Sequence, residues 1–238
     1  MSSVQGQKVA VVTGASQGIG AGVVEGYRKL GYAVVATSRN IGESTDPGVV
    51  TVRGDIAEWE TAERVIATAV ERFGRVDTLV NNAGVFVAKP FTEYTEEEYR
   101  AVLGINVDGF FRITQLAVER MLQQGGGHVV QISSSLGDQA DAKITSVLAS
   151  LTKGGLQAAT RALATEYATQ GIRANAVALG TIKTPMHAVE THEWLAALHP
   201  VGRMGEVEDI VEAVLYLENA PFVTGVTLPV DGGQTAGR

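Results

Sequence analysis

Eight consecutive residues carry the clearest chemistry in the sequence. Thr13-Gly14-Ala15-Ser16-Gln17-Gly18-Ile19-Gly20 follows a short apolar run and opens an amphipathic one, so its glycines fall where a chain leaving a strand turns into a helix N-terminus. Side chains there would hold a ligand off the backbone, while unpaired amides and the positive end of the helix dipole favour an anion. Gly14, Ser16, Gln17, Gly18, Ile19 and Gly20 therefore read as a diphosphate cradle. The next apolar run ends Ala36-Thr37-Ser38-Arg39, where dinucleotide-binding proteins usually place an acid against the ribose diol. No acid stands there. Arg39 suits a 2′-phosphate, and Ser38 offers it space and a hydroxyl, so the residue types favour NADP(H) over NAD(H).

Such a cradle needs a strand-turn-helix scaffold, and the chain supplies one repeatedly. Apolar runs of strand length at 8–13, 33–37, 49–53, 78–81, 128–132, 173–177 and 226–230 alternate with amphipathic stretches at 19–30, 59–73, 96–106, 109–123, 148–168 and 207–217. That is the pattern of helices covering both faces of a parallel sheet. With right-handed crossovers it predicts an α/β fold, a Rossmann-like doubly wound parallel sheet of about seven strands. At 238 residues, 45% hydrophobic and 19% charged, the chain suits a single domain spanning 1–238. The least regular stretch, 181–205, carries Pro185, Pro200 and three of the four histidines. It follows a strand's carboxyl end, where open α/β sheets bind ligands, and is expected to cover a small-molecule substrate.

A net charge of −7 argues against a nucleic acid or an anionic membrane as partner. The lack of cysteine excludes disulfides, thiolate metal sites and cysteine nucleophiles, and the spacing of His187 and His192 is too weak a signal for a metal. The N-terminal stretch shows no basic region followed by a long apolar segment, nor does any apolar run reach about 18 residues without interruption. A cytoplasmic protein is expected.

Further along, Gly54-Asp55-Ile56, Asn81-Asn82-Ala83-Gly84, Asn106, Ile132-Ser133-Ser134, Lys153-Gly154-Gly155, Asn175 and Val230-Asp231-Gly232-Gly233 follow the glycine-rich turn in order. In that ordered set the chain resembles the short-chain dehydrogenase/reductase family over nearly its whole length. The resemblance implies that Asp55 and Ile56 border an adenine and that Asn81, Ala83 and Gly84 lie along the cofactor beside a ribose. It implies that Ile182 and Thr184 hold the nicotinamide carboxamide. Leu179-Gly180 replaces the family's usual Pro-Gly and keeps the glycine of that turn. A homotetramer or homodimer built through helices matching 109–123 and 148–168 is implied as well.

Members of the family move hydride between nicotinamide and carbon while a tyrosine phenol exchanges the oxygen's proton. By the same resemblance Asn106 positions a water and Lys153, Ser134 holds the substrate oxygen, and Lys153 binds ribose and depresses the phenol's pKa. Ser135 is the alternate to Ser134. The phenol belongs one helical turn before Lys153, and the residue there is Ala149. No tyrosine lies between Tyr99 and Tyr167, and Ser146 occupies the alternative spacing of the related enoyl reductases. Losing a positioned proton donor costs about 10²–10⁴ in rate. Three proton routes stay open: a water relay from Lys153, an imidazole from His187, His192 or His199, or a substrate such as an iminium that needs no proton. The expected function is an NADP(H)-dependent oxidoreductase acting on a small carbonyl or alcohol. The alternatives are a dinucleotide-binding pseudoenzyme or sensor with little turnover, or an engineered Tyr-to-Ala variant of an active reductase.

Overall fold

The computed structural model describes residues 6–236; residues 1–5, which open the stretch read as free of a targeting signal, and 237–238 lie outside it. Strand β1 (Val9–Thr13) is buried throughout. Its period of two sends Val9 and Val11 to one face of the sheet and Ala10 and Val12 to the other, so both faces must be covered. Strands β2 (Ala33–Ser38), β3 (Val49–Arg53), β4 (Thr78–Asn81), β5 (Gly127–Ser134), β6 (Ile172–Leu179) and β7 (Thr227–Val230) join it. All neighbours pair in parallel, in the order β3-β2-β1-β4-β5-β6-β7. The order reverses between β1 and β4, which opens a crevice at the carboxyl ends of the strands.

Helices α1 (Gly18–Lys29), α2 (Trp59–Phe73), α3 (Glu96–Leu103), α4 (Gly109–Gln123), α5 (Val147–Tyr167), α6 (His192–Ala196) and α7 (Val207–Asn219) are the α-helices among the described residues. Ala62 and Val65 of α2 and Ile113 and Met121 of α4 bury one face of the sheet, and Val23 and Tyr27 of α1 with Ile210 and Val214 of α7 bury the other. This is the doubly wound arrangement that the alternation predicts.

Three elements beside the crevice differ in extent from the sequence reading. β5 and β6 run on to Ser134 and Leu179, paired with each other to the end, which carries the serines into the crevice. The helix expected over 96–106 is α-helical only to Leu103 and continues through a π turn, Gly104–Asp108, straight into α4. A π turn inserts one residue per turn and re-aims side chains, often at functional sites; here it holds Asn106 buried. The resulting rod, Glu96–Gln123, is long and apolar enough by composition to cross a bilayer, but its Ile113, Ala117 and Met121 stripe is core.

At the amino ends of the strands, opposite the crevice, Glu218 of α7 gathers four donors. It accepts from Tyr27 (3.1 Å), Tyr32 (2.8 Å), Thr78 (2.9 Å) and Nδ1 of His128 (2.9 Å). Nε2 of His128 accepts from Asn175 at 3.1 Å, which leaves the ring proton on Nδ1. Arg173 satisfies the carbonyls of Leu217, Glu218 and Val223, closing the C-terminal end of α7. Asn175, part of the ordered motif set, is thus a structural tie.

Candidate active site

The crevice is a cleft of about 770 Å³ lined from the carboxyl ends of β1 to β6 and by Gln234 beyond β7. At its floor, Gly14 has φ +64° and a side chain there would meet Ala83 Cα at 2.9 Å, while one on Gly20 would meet the Gly14 carbonyl at 2.3 Å. The turn is held by the end of β4. Asn82 Nδ2 donates to the carbonyls of Thr13 (2.9 Å) and Gly14 (3.1 Å), and Thr13 Oγ1 accepts from the amides of Asn82 and Ala83, both at 3.0 Å. α1 begins without a side-chain cap at Gln17 and without an acid in its first turn, so its free amides face the cleft and call for an anion. The residues present therefore fit a dinucleotide diphosphate.

Ser38, Arg39, Asp55 and Ile56 form the next part of the wall. The Arg39 side chain is 63% exposed, and its one ionic neighbour among the described residues, Asp55, stands 4.0 Å away, which leaves the guanidinium available for a phosphate. Asp55 Oδ1 accepts the Ala57 amide at 3.0 Å. Ala83, Gly84, Gly180, Ile182 and Thr184 also line the cleft.

Asn81 does not. It faces the opposite side of β4, where its Nδ2 donates to Thr114 of α4 at 2.8 Å, because adjacent strand residues point to opposite faces. The cleft-facing asparagine is Asn82, which clamps the glycine-rich turn.

At the other end, Ser134 Oγ accepts the Leu136 amide at 3.2 Å, so its own O–H remains free to donate into the cleft. Ser135 is buried and donates to Gln234 Oε1 at 3.0 Å, so its hydroxyl proton is engaged where that of Ser134 is not. Lys153 Nζ donates to the Ile132 carbonyl at 3.2 Å, and desolvation pushes its pKa down to about 8. Asn106 lies behind this floor rather than in it. Its Oδ1 accepts the Val85 amide (2.9 Å), and its Nδ2 donates to the Val85 carbonyl (3.0 Å) and Thr152 Oγ1 (3.3 Å). The side chain expected to position a water and Lys153 also fixes the Val85 backbone, and a Cβ built on Gly84 would meet both Lys153 Nζ (3.0 Å) and Asn106 Oδ1 (3.4 Å). Ala149 is buried one turn before Lys153. No tyrosine lines the cleft among the described residues.

The segment 181–205 closes on itself where the Lys183 amide donates to Gly205 and the Gly205 amide to Thr181, both at 2.9 Å. Met186, His187, Trp194 and Leu195 bring it over the cleft. Its histidines part company. His199 is buried, with Nδ1 donating to the Asp231 carbonyl (2.8 Å) and Nε2 accepting the Thr181 amide (3.2 Å). Both of its ring nitrogens are thus engaged by backbone groups. His192 Nε2 is bonded to the His187 carbonyl at 3.2 Å and does not line the cleft. Only His187 lines it, with its pKa lowered by burial and by His192.

Residues 14–235 match a family model described as enoyl-(acyl carrier protein) reductase. The chain belongs to the short-chain dehydrogenase/reductase family. This short-chain dehydrogenase/reductase is 39% identical to a protein assigned as ketoacyl reductase 2 of the granaticin polyketide synthase of Streptomyces violaceoruber, over 94% of this chain and 95% of that one. It is 36% identical to the L-xylulose reductase of Bos taurus, over 95% and 96%. Among solved structures it superimposes on ElxO with NADP bound at a TM-score of 0.91 and 29% identity, covering 97% of this chain and 99% of that chain. A Tyr-to-Phe variant of ElxO with NADPH bound matches at 0.90, with 29% identity and the same coverage. A 3-ketoacyl-(acyl-carrier-protein) reductase from Brucella melitensis complexed with NADH matches at 0.88 and 29%, covering 98% and 100%.

Proposed function

We propose that this short-chain dehydrogenase/reductase is an NADP(H)-dependent oxidoreductase for a small carbonyl or alcohol, with Ala149 standing where the family's phenol belongs. The observation that carries this reading is the meeting, in one cleft, of the uncapped α1 N-terminus, Arg39, Ser134 and Lys153. When bound there, NADPH supplies hydride. Ser134 donates its hydroxyl proton as a hydrogen bond to the substrate oxygen and stabilises charge on it. Lys153, protonated below about pH 8, is the proton source, acting through a water because no phenol stands between it and the oxygen. The preference for NADP(H) rests on Arg39 and on the absence of an acid at the end of β2. In a binding titration, NADPH binds about tenfold more tightly than NADH, and Arg39→Ala removes the difference, as expected for one charge-assisted phosphate contact. Equal affinity in the parent chain contradicts the preference.

The absence of a phenol among the described lining residues favours, as a second reading, a dinucleotide-binding protein with little turnover. Tight NADPH binding with no oxidation across carbonyl and imine substrates establishes that reading instead. Exposed Phe111 on α4 and Leu151 on α5, at 60% and 61%, support assembly as a homodimer or homotetramer through those helices. Sedimentation velocity checks this: the parent runs as an oligomer and Phe111→Asp/Leu151→Asp as a monomer. A monomeric parent overturns it.

A further inference from the structure

We infer that the substrate is a carbonyl compound with a flat apolar body and an anionic group, not a polyol; this rests on the oxidoreductase reading above and deepens it. Three large apolar side chains, one from the loop after β4 and two from segment 181–205, line the cleft while standing partly in water. They are Phe86 at 39% exposure, Met186 at 60% and Trp194 at 52%. Covering the exposed part of each removes apolar surface from water, and exposed apolar surface gathered in a concavity marks what the concavity binds.

The wall is preformed. Leu195, Leu198 and Met204 make a small core beneath α6, and Ile144 packs on it from the opposite lip, so Trp194 is presented by a braced element. A polyol needs many convergent hydrogen-bonding groups; here Ser135 Oγ donates to Gln234 Oε1, and Ser134, with its hydroxyl proton free, suits a single carbonyl oxygen.

Charge completes the selection. Asp55 is the one carboxylate among the described lining residues, and it lies beside Arg39 at the far end. Lys143 lines the substrate end, exposed, with no ion pair to its ammonium among the described residues. A substrate anion there gains a partner without displacing one. The exposed pair is worth a factor of about five.

Binding tests this independently of turnover. Trp59, the other tryptophan, is held on α2 by Glu63 at 2.6 Å and is no part of the cleft, so Trp59→Phe leaves Trp194 as the sole indole. The variant is titrated, with and without saturating NADP⁺, with 4-acetylbenzoate, acetophenone and L-xylulose, by Trp194 emission and calorimetry in parallel. The expected result is quenching by both aryl ketones, with 4-acetylbenzoate about fivefold tighter than acetophenone and L-xylulose at least about tenfold weaker than 4-acetylbenzoate. Adding Lys143→Met brings the two ketones to parity. L-xylulose binding as tightly as the aryl ketones overturns the inference, as does parity of the two ketones in the presence of Lys143. The NADP⁺ titration itself separates the two levels. Failure of the dinucleotide to bind, with ketone selectivity intact, removes the functional reading alone; dinucleotide binding with no ketone response removes this inference alone.

Discussion

Ala149→Tyr raises the rate of carbonyl reduction by about 10²–10⁴-fold, the range a positioned general acid contributes. Residue 149 lies on α5 one turn before Lys153, and side chains four apart on a helix share a face, so a phenol there and the Lys153 ammonium serve the same cleft. The parent and the variant also differ in pH dependence. Desolvation holds Lys153 at about 8, so its proton is present well below that pH and is lost as pH rises through it. A parent that draws its proton from Lys153 therefore slows above about pH 8. In the variant the phenol delivers the proton, and the lysine's charge acts by lowering the phenol's pKa. Because Ala149 is 4% exposed, added bulk strains the site by roughly 1–3 kcal/mol. Ala149→Phe is the matched control, with the same ring and no hydroxyl. Single-turnover NADPH oxidation by the folded fraction of each protein decides the matter. A gain confined to tyrosine supports a missing acid. Equal gain from phenylalanine, or a loss with both, contradicts it and makes the small side chain itself part of the substrate site.

Glu218→Ala lowers the melting temperature by roughly 6–20 °C. Four donors converge on that carboxylate, and removing it leaves buried polar groups without a partner, a loss of about 3–5 kcal/mol at about 2–4 °C per kcal/mol for a chain of this size. Burial alone would raise the carboxyl's pKa, but hydrogen bonds from His128, Tyr32 and Thr78 hold it well below the usual carboxylate range. A depressed carboxyl contributes stability that is present above the ordinary carboxylate pKa and fades as pH falls through the folded value. The parent's stability therefore falls on acidification partly through Glu218, and the variant lacks that component. Burial and Glu218 together raise the phenol pKa of both Tyr27 and Tyr32, which keeps them donors at neutral pH. Calorimetric melting from acid to neutral pH checks both effects. The network sits at the amino ends of the strands, so NADPH affinity of the folded variant stays unchanged. A shift of about 1 °C or less at neutral pH shows that the carboxylate is not a structural hub.

The fold was legible because strand residues such as Val9 to Val12 are apolar on both faces, which only a sheet covered on both sides explains. The cofactor end was legible for a related reason: glycines at fixed offsets state where backbone must approach a ligand. What the sequence hid depends on direction. Asn81 and Asn82 are indistinguishable as a string, yet one step along β4 sends Asn81 to Thr114 and Asn82 to the glycine-rich turn. An alternation count from the buried residues of β4 separates them. Asn106 was found by position, but its three hydrogen bonds, to Val85 and Thr152, follow from a π turn that periodicity cannot announce. His199 looked as available as His187 until both of its ring nitrogens met backbone groups distant in sequence. Trp194 and Met186 carried no motif, and only the folding back of 181–205 brings them to the cleft.

The most direct test of the central claim is a crystal structure of this chain with NADP⁺. The account predicts the diphosphate on the amides of the α1 N-terminus, the 2′-phosphate against Arg39 and the nicotinamide ring facing Ser134 and Lys153. A ring placed away from those two residues, or a chain that takes up neither NADP⁺ nor NAD⁺ at saturating concentration, contradicts it.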